Sequence, residues 1–428
     1  MPKSMKKFLY LIGGILLLLC VLIFYPTSMP EYNVTRDYID MEAEILESFI
    51  LAKDSSVIQL PEGHFLFSQA LSLDAKKHLT IRGMGMDKTI LSFKGQTKGA
   101  EGIKITQCSN LIIEDLSIED AVGDNLKISD SDSIILRKIR SAWTGKVSSK
   151  NGAYGLYPVL CTNLLIENCE AIGASDAGIY VGQSQNVVIR NNKAFFNVAG
   201  IESENSTQVE IYGNEAYENT SGLLIFNLPQ LTVYGAHVNA HHNTIYNNNV
   251  RNFGVKGSIV SAVPKGTGVV IMATEDVDFH DNTVRDHKTA NLSVVSYALF
   301  AADEDPESST QNQAAEARGL RSIQGDYEKD IAYNAYPKAV AIRSNTFENK
   351  FRFPTLSNDY GKLMLFKNNT RIPDVVYDGI LPDNTPVQSP DFQICVTDNG
   401  TINFAFLDAD NDFEKFSNDL SPFDCQLN

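Results

Sequence analysis

Segments with similar openings recur along the chain at a nearly fixed step, and that step constrains the fold more than any other feature. They begin at Gly102 (GIKITQCSN), Asn125 (NLKISDSDS), Gly155 (GLYPVLCTN), Gly178 (GIYVGQSQN), Gly200 (GIESENSTQ), Gly222 (GLLIFNLPQ), Gly268 (GVVIMATED) and Asn291 (NLSVVSYAL). Most steps are 22 or 23 residues, and the longer ones carry insertions. A second signature lies inside each segment: Asn192, Asn214, Asn243, Asn282 and Asn345 share one column, with apolar pairs such as Val187/Ile189 and Val209/Ile211 just before it. Apolar pairs of period 2 recurring at this interval exclude helical hairpins and describe short strands, each layer stacked on the last. The expected fold is all-β: a single-stranded parallel β-helix of three strands per turn. In it, the Asn column would form a ladder of side-chain amides at the ~4.8 Å inter-strand spacing.

The coils are expected over residues 57–370, with insertions at 143–153, 230–237, 249–267 and 299–338. Residues 31–56 read as an amphipathic helical cap, with Ile39, Ala43, Leu46, Phe49 and Ile50 at helical spacing over the open end of the stack. Residues 371–428 break the repeat and read as an irregular C-terminal cap, which Cys395 and Cys425 can bridge in an oxidising compartment. Residues 1–30 read as a cytoplasmic tip, a membrane segment and a linker. Phe8 to Tyr25 is an uncharged run of 18 residues behind Lys3, Lys6 and Lys7, just long enough to cross a hydrocarbon core of ~30 Å with its amino end in the cytoplasm. A cleaved signal peptide is the competing reading, although Pro26, Ser28 and Met29 make a poor cleavage site. Either way the chain from Glu31 onward is expected outside the cytoplasm, periplasmic or extracellular.

Hydrophobic residues at 43% and charged residues at 21% are ordinary globular content and exclude wholesale disorder. A net charge of −16 argues against a nucleic-acid partner, which would require a basic surface.

In GIYVG the inward positions are Ile179 and Val181, so Tyr180 and Gly182 face out. The same parity gives an outward stripe of Lys104, Lys127, Tyr157, Tyr180, Glu202, Leu224 and Val270. A parallel one comprises Thr106, Ser129, Val159, Gly182, Glu204, Phe226 and Met272. The insertions border this face and are expected to wall a groove along it. Such a groove, offering Trp143, Tyr154, Glu204 and Phe226 as contacts, suits an extended and acidic polysaccharide, because aromatic faces stack on sugar rings. The tyrosines can equally support one another up the stack. Proton-transfer chemistry on a uronate needs a base, an acid and a countercharge for the carboxylate. Tyr157 or Tyr180 is assigned to the proton, Lys127 or Lys150 to the countercharge, and Asp176 to orienting them. Glu202 and Glu204 point the same way, roughly 7 Å apart by strand rise, which also fits an inverting glycosidase. The histidines of two neighbouring coils, His241 and His280 among them, lie in a column explained by cross-strand pairing, and neither a metal nor another cofactor is expected.

The stretches NGAYGLYPVLCTN (151–163), GASDAGIYVGQSQNVVIRNN (173–192), NVAGIE (197–202) and VPKGTG (263–268) resemble an uncharacterised bacterial family of exported right-handed parallel β-helix repeat proteins, with a pectin-lyase-like fold. That resemblance implies export, a carbohydrate-associated fold and room for an exported protein partner, and it assigns no activity. AYGLYPVLC is also similar to the Tyr-Gly-x-Asp-Pro-His-Asp motif of mannuronan C5-epimerases. Tyr154, Gly155 and Pro158 match, but Tyr157, Val159 and Leu160 replace the motif's Asp, His and Asp, so its mechanism does not carry over. The alternative is a non-catalytic scaffold or binding module of the cell envelope.

Overall fold

The computed structural model describes residues 28–301 and 306–427. The apolar run at 8–25 lies outside them, and no helix among the described residues is long and apolar enough to cross a membrane. The chain from Glu31 onward is one compact unit.

Period-2 patterning produces strands because alternate side chains must enter and leave a core. The first strands of the coils stack in parallel into one 11-stranded sheet, from Gln69–Asp74 to Phe404–Phe406. Ile179 lies against Ile201, Ile201 against Leu223, Leu223 against Val269 and Val269 against Leu292, all inward and buried. Second and third strands stack likewise, as in Gln185–Arg190 on Thr207–Tyr212 and Lys193–Phe195 on Glu215–Tyr217. Outside the core, the second-strand column pairs ions: Glu114 joins Arg82 and Arg137, and Glu167 joins Arg190 at 2.6 Å. In the same column the rings of Tyr212, His241 and His280 stack about 5 Å apart.

Both ends differ from expectation. The cap helix is Glu42–Ile50, and it buries Ile45 and Phe49 rather than the full set read from the sequence; Ile39 and Ile50 are exposed. At the other end the stack does not stop at residue 370. Val375–Tyr377 pairs with Ala290–Val295, Ile394–Thr397 with Lys338–Arg343, and Phe404–Phe406 with Val375–Tyr377. Residues 371–406 therefore continue the coils. Long excursions between these strands, including the helix Asp359–Lys367, erase the period from the sequence. A disulfide joins Cys395 to Cys425, fastening the last segment to a coil strand.

The Asn column forms the expected ladder. Each Nδ2 donates to the next Oδ1: Asn192 to Asn214, Asn214 to Asn243, Asn243 to Asn282, Asn282 to Asn345 and Asn345 to Asn399, at 2.9 to 3.1 Å. Each Oδ1 also accepts the backbone N–H of the preceding rung, as Asn214 does from Asn192. A second ladder stands five residues further on and was not read from the sequence, although Asn192/Asn197, Asn214/Asn219 and Asn243/Asn248 repeat that spacing. Asn197 donates to Asn219 and Asn219 to Asn248.

His287 occupies the next rung of this second ladder. Asn248 Nδ2 donates to its Nε2 at 3.1 Å, so its Nδ1–H donates to Asn291 Oδ1 at 2.9 Å, and the ring is fixed in one neutral tautomer. Burial pushes its pKa down to about 4. An unfolded imidazole takes up a proton below about 6.5, whereas the folded one stays neutral down to that lower value. The contribution of His287 to stability is therefore full above pH 6.5 and is lost between 6.5 and 4, by on the order of 3 kcal/mol. Buried carboxyls raised to about 7 titrate in the opposite sense over this range, so the loss is read as a difference: as pH falls from 6.5 to 4, His287→Asn, which retains an amide in the rung, should gain that amount in urea unfolding relative to the parent.

Candidate functional site

The outward stripe on the first-strand face has the register read from parity. Lys127 lies beside Tyr157, Tyr180 beside Glu202 and Glu202 beside Leu224; in the neighbouring stripe Gly182 lies beside Glu204 and Glu204 beside Phe226. Tyr157 follows Lys127 and precedes Tyr180, whose strands pair through Leu156 and Ile179. Tyr154 joins them from the chain just before its strand: its ring lies 4.5 Å from that of Tyr157 and 4.6 Å from that of Tyr180, and Tyr157 meets Tyr180 edge-on at 4.8 Å. The Tyr180 ring lies over Gly182, where a Cβ would overlap its hydroxyl and ring carbons. Gly182→Ala is expected to displace the ring at a cost of about 1–3 kcal/mol, read as a lower unfolding midpoint with altered near-ultraviolet circular dichroism.

The expected open groove is not there. Ile259, Val260 and Val263 of one insertion and Phe300 of another lie on the face rather than beside it, because the outward residues Leu224, Phe226, Val270 and Met272 are apolar and gain by being covered. Phe226 packs near Ile259, Val260 and Phe300, so it is covered and not a substrate contact. Trp143 is buried as well, its Nε1–H donating to the Ala121 carbonyl at 2.9 Å, and it walls no groove. Lys150 is exposed on its insertion, its backbone N–H donating to Ser148, and among the described contacts it reaches no tyrosine. Tyr154, Tyr180, Asp176, Glu202 and Glu204 are all below 5% exposed, buried together.

Three carboxyl groups thus lie buried with the Tyr154 and Tyr180 rings. Burial, then the neighbouring acids, pushes Asp176 and Glu202 well above the usual carboxylate range. Glu204 is also raised by burial, but the Arg321 guanidinium and the adjoining Tyr180 hydroxyl pull it back. Arg321 Nε stands 3.8 Å from Glu204 Oε1. One oxygen each of Asp176, Glu202 and Glu204 has no hydrogen-bond partner, a costly arrangement for ionised groups and a tolerable one for protonated acids.

The cluster opens toward its early coils, where Asp124, Lys127 and Tyr157 are only partly buried. Lys127 Nζ lies 4.7 Å over the Tyr157 ring. Asp124 Oδ1 accepts the backbone N–H of Tyr154, and burial raises its carboxyl to about 7 despite the nearby Lys127. Burial, followed by Asp124 and Glu204, raises the Tyr157 phenol as well. Asp124 and Arg321 are not among the residues that the parity of the stripe selects. Asp124 had a signal: it precedes Lys127 by three residues, as Tyr154 precedes Tyr157. Arg321 had none, since its insertion follows no period.

A family model described as a right handed beta helix region matches residues 147–304. The fold is a right-handed parallel β-helix. No curated protein sequence matches the chain. Among solved structures it is similar to the Azotobacter vinelandii mannuronan C-5 epimerase AlgE4 A-module, at 15% identity, covering 87% of this chain and 92% of that one, with a TM-score of 0.51. The A-module of AlgE6 from the same organism is 15% identical over 86% and 90% of the two chains, with a TM-score of 0.46. A hyperthermoactive exopolygalacturonase from Thermotoga maritima is 10% identical over 89% and 92%, with a TM-score of 0.43. At such identities the likeness concerns the fold alone.

Proposed function

We propose that the chain is a polysaccharide-modifying β-helix protein whose chemistry sits at the mouth formed by Asp124, Lys127 and Tyr157. The observation that carries this reading is a carboxyl group poised near neutrality beside a lysine and a tyrosine, at an edge where the buried acid–tyrosine cluster meets solvent. A group that titrates near the working pH is suited to proton transfer, since both of its forms are populated. Asp124 takes the proton from the carbon that bears the uronate carboxyl, and Tyr157, whose phenol stays protonated, supplies one either to the opposite face of that carbon, in epimerisation, or to the glycosidic oxygen as its bond to the neighbouring ring carbon breaks, in elimination. Lys127 and Arg321 offset a substrate carboxylate. Tyr180, Glu204, Glu202 and Asp176 stand behind Tyr157 and set its environment.

This division of labour fits elimination or epimerisation at a uronate residue. We place the β-helix outside the cytoplasm and tether it through residues 8–25. The test is incubation of the full chain with an array of polyuronates and neutral glycans. Unsaturated uronate or a changed epimer ratio supports the reading. Reducing ends released without unsaturation, and lost in Glu202→Gln, would instead favour hydrolysis by Glu202 and Glu204. Binding with no conversion would leave a carbohydrate-binding module.

A further inference from the structure

A cavity of about 580 Å³ lies further along the first-strand face, past the tyrosines and acids. Val270 and Val295 form part of its floor, and Phe300, Leu363, Leu407 and Phe413 contribute apolar sides. Its rim is cationic: Lys265 and Arg251 line it, and Lys288 is close enough to act on Lys265. Among the described residues neither Lys265 nor Arg251 has a carboxylate partner. Asp359, the acid at this rim, is paired with Lys362 at 2.7 Å. Inside, the buried hydroxyls of Ser293 and Tyr360 adjoin each other, and neither has a carboxylate, amide or carbonyl partner.

An unpaired and partly buried ammonium among like charges is unfavourable by itself, and burial together with those cations lowers the Lys265 pKa. A chain with net charge −16 that keeps cations unpaired at one apolar opening has a surface matched to an anion with an aliphatic body. We propose that this cavity binds an amphiphile with one aliphatic chain and a single anionic head. The head rests on Lys265 and Arg251, and the chain lies against Val270, Val295, Phe300 and Leu363. Carboxylate and phosphate heads share this chemistry. The site is separate from Asp124 and stands whether or not the catalytic reading does.

The experiment is competition of dodecanoate, dodecyl phosphate and 1-dodecanol against a fluorescent polyene fatty acid on the full chain. Both anions are expected to bind about tenfold or more tightly than the alcohol, from the charge-assisted contacts; whichever binds more tightly identifies the head. Lys265→Gln should remove that advantage and leave dodecanol unchanged, while Val270→Trp should fill the floor and reduce all three. Asp124→Asn should change none of them. Because Lys265 stands at the rim, its variant keeps the test decisive if Val270→Trp fails to fold. Equal binding of anions and alcohol would overturn the proposal, as would affinities that neither cavity variant alters.

Discussion

Asp124→Asn is expected to lower kcat/KM on a converted polysaccharide by about 10²- to 10⁴-fold, the usual contribution of a positioned acid–base group. The amide keeps an oxygen to accept the Tyr154 N–H, so the loss would report proton transfer rather than local collapse. In the unmodified protein the rate should rise with pH through about 7 as Asp124 ionises, and the variant should lack that limb. Stability should move oppositely. The folded carboxyl titrates near 7 against about 3.9 unfolded, so its contribution is fully present below the unfolded value and is lost as pH rises through the folded one. Above pH 7 the Asn variant should therefore be the more stable protein, by a few kcal/mol at most. Reduced activity with greater alkaline stability is a combination that a merely structural residue would not give. If activity and stability fall together, Asp124 is a structural ligand of the Tyr154 loop and the catalytic assignment fails.

The second large effect is expected in the ladder. Asn214→Ala removes the acceptor for the Asn192 N–H and Nδ2, and the donor to Asn243 and the Ile189 carbonyl. Each buried group left without a partner costs about 1–3 kcal/mol, and partial compensation by the remaining bonds brings the expected total to about 3–5 kcal/mol. Urea unfolding should show it as a lower midpoint. Gln185→Ala, which removes an exposed amide bond to Gln208, should stay within about 0.5 kcal/mol of the parent. Equal costs for the two would mean that the buried ladder is no stronger than a solvated one.

Register was legible because parity leaves little freedom. Once Ile179 and Val181 are inward, Tyr180 must be outward, and the repeat carries that assignment from coil to coil. Tyr157, Tyr180 and Glu202 accordingly share a wall. What lay over them was not legible. Covering of the face depends on aperiodic insertions, whose contacts are long-range and leave no pattern: Arg321 reaches Glu204 across more than a hundred residues of chain. The chemistry of Trp143, Tyr154 and Phe226 suits ligand contacts, yet large apolar bodies of this kind are equally suited to filling space beneath such a cover. The later coils were hidden for a related reason, since the excursion between Glu348 and Val375 separates strands that are neighbours in space.

The unbroken file of amides from Asn192 to Asn399 also sets a unit for evolutionary change in length. Removing Lys193 through Asn214 would bring Asn192 to bear on Asn243 and leave every other side chain on its own side. Removing one residue more would turn the remaining strand inside out. Such a molecule can lengthen or shorten freely, but only by whole turns, and everything of irregular size must be carried at the corners.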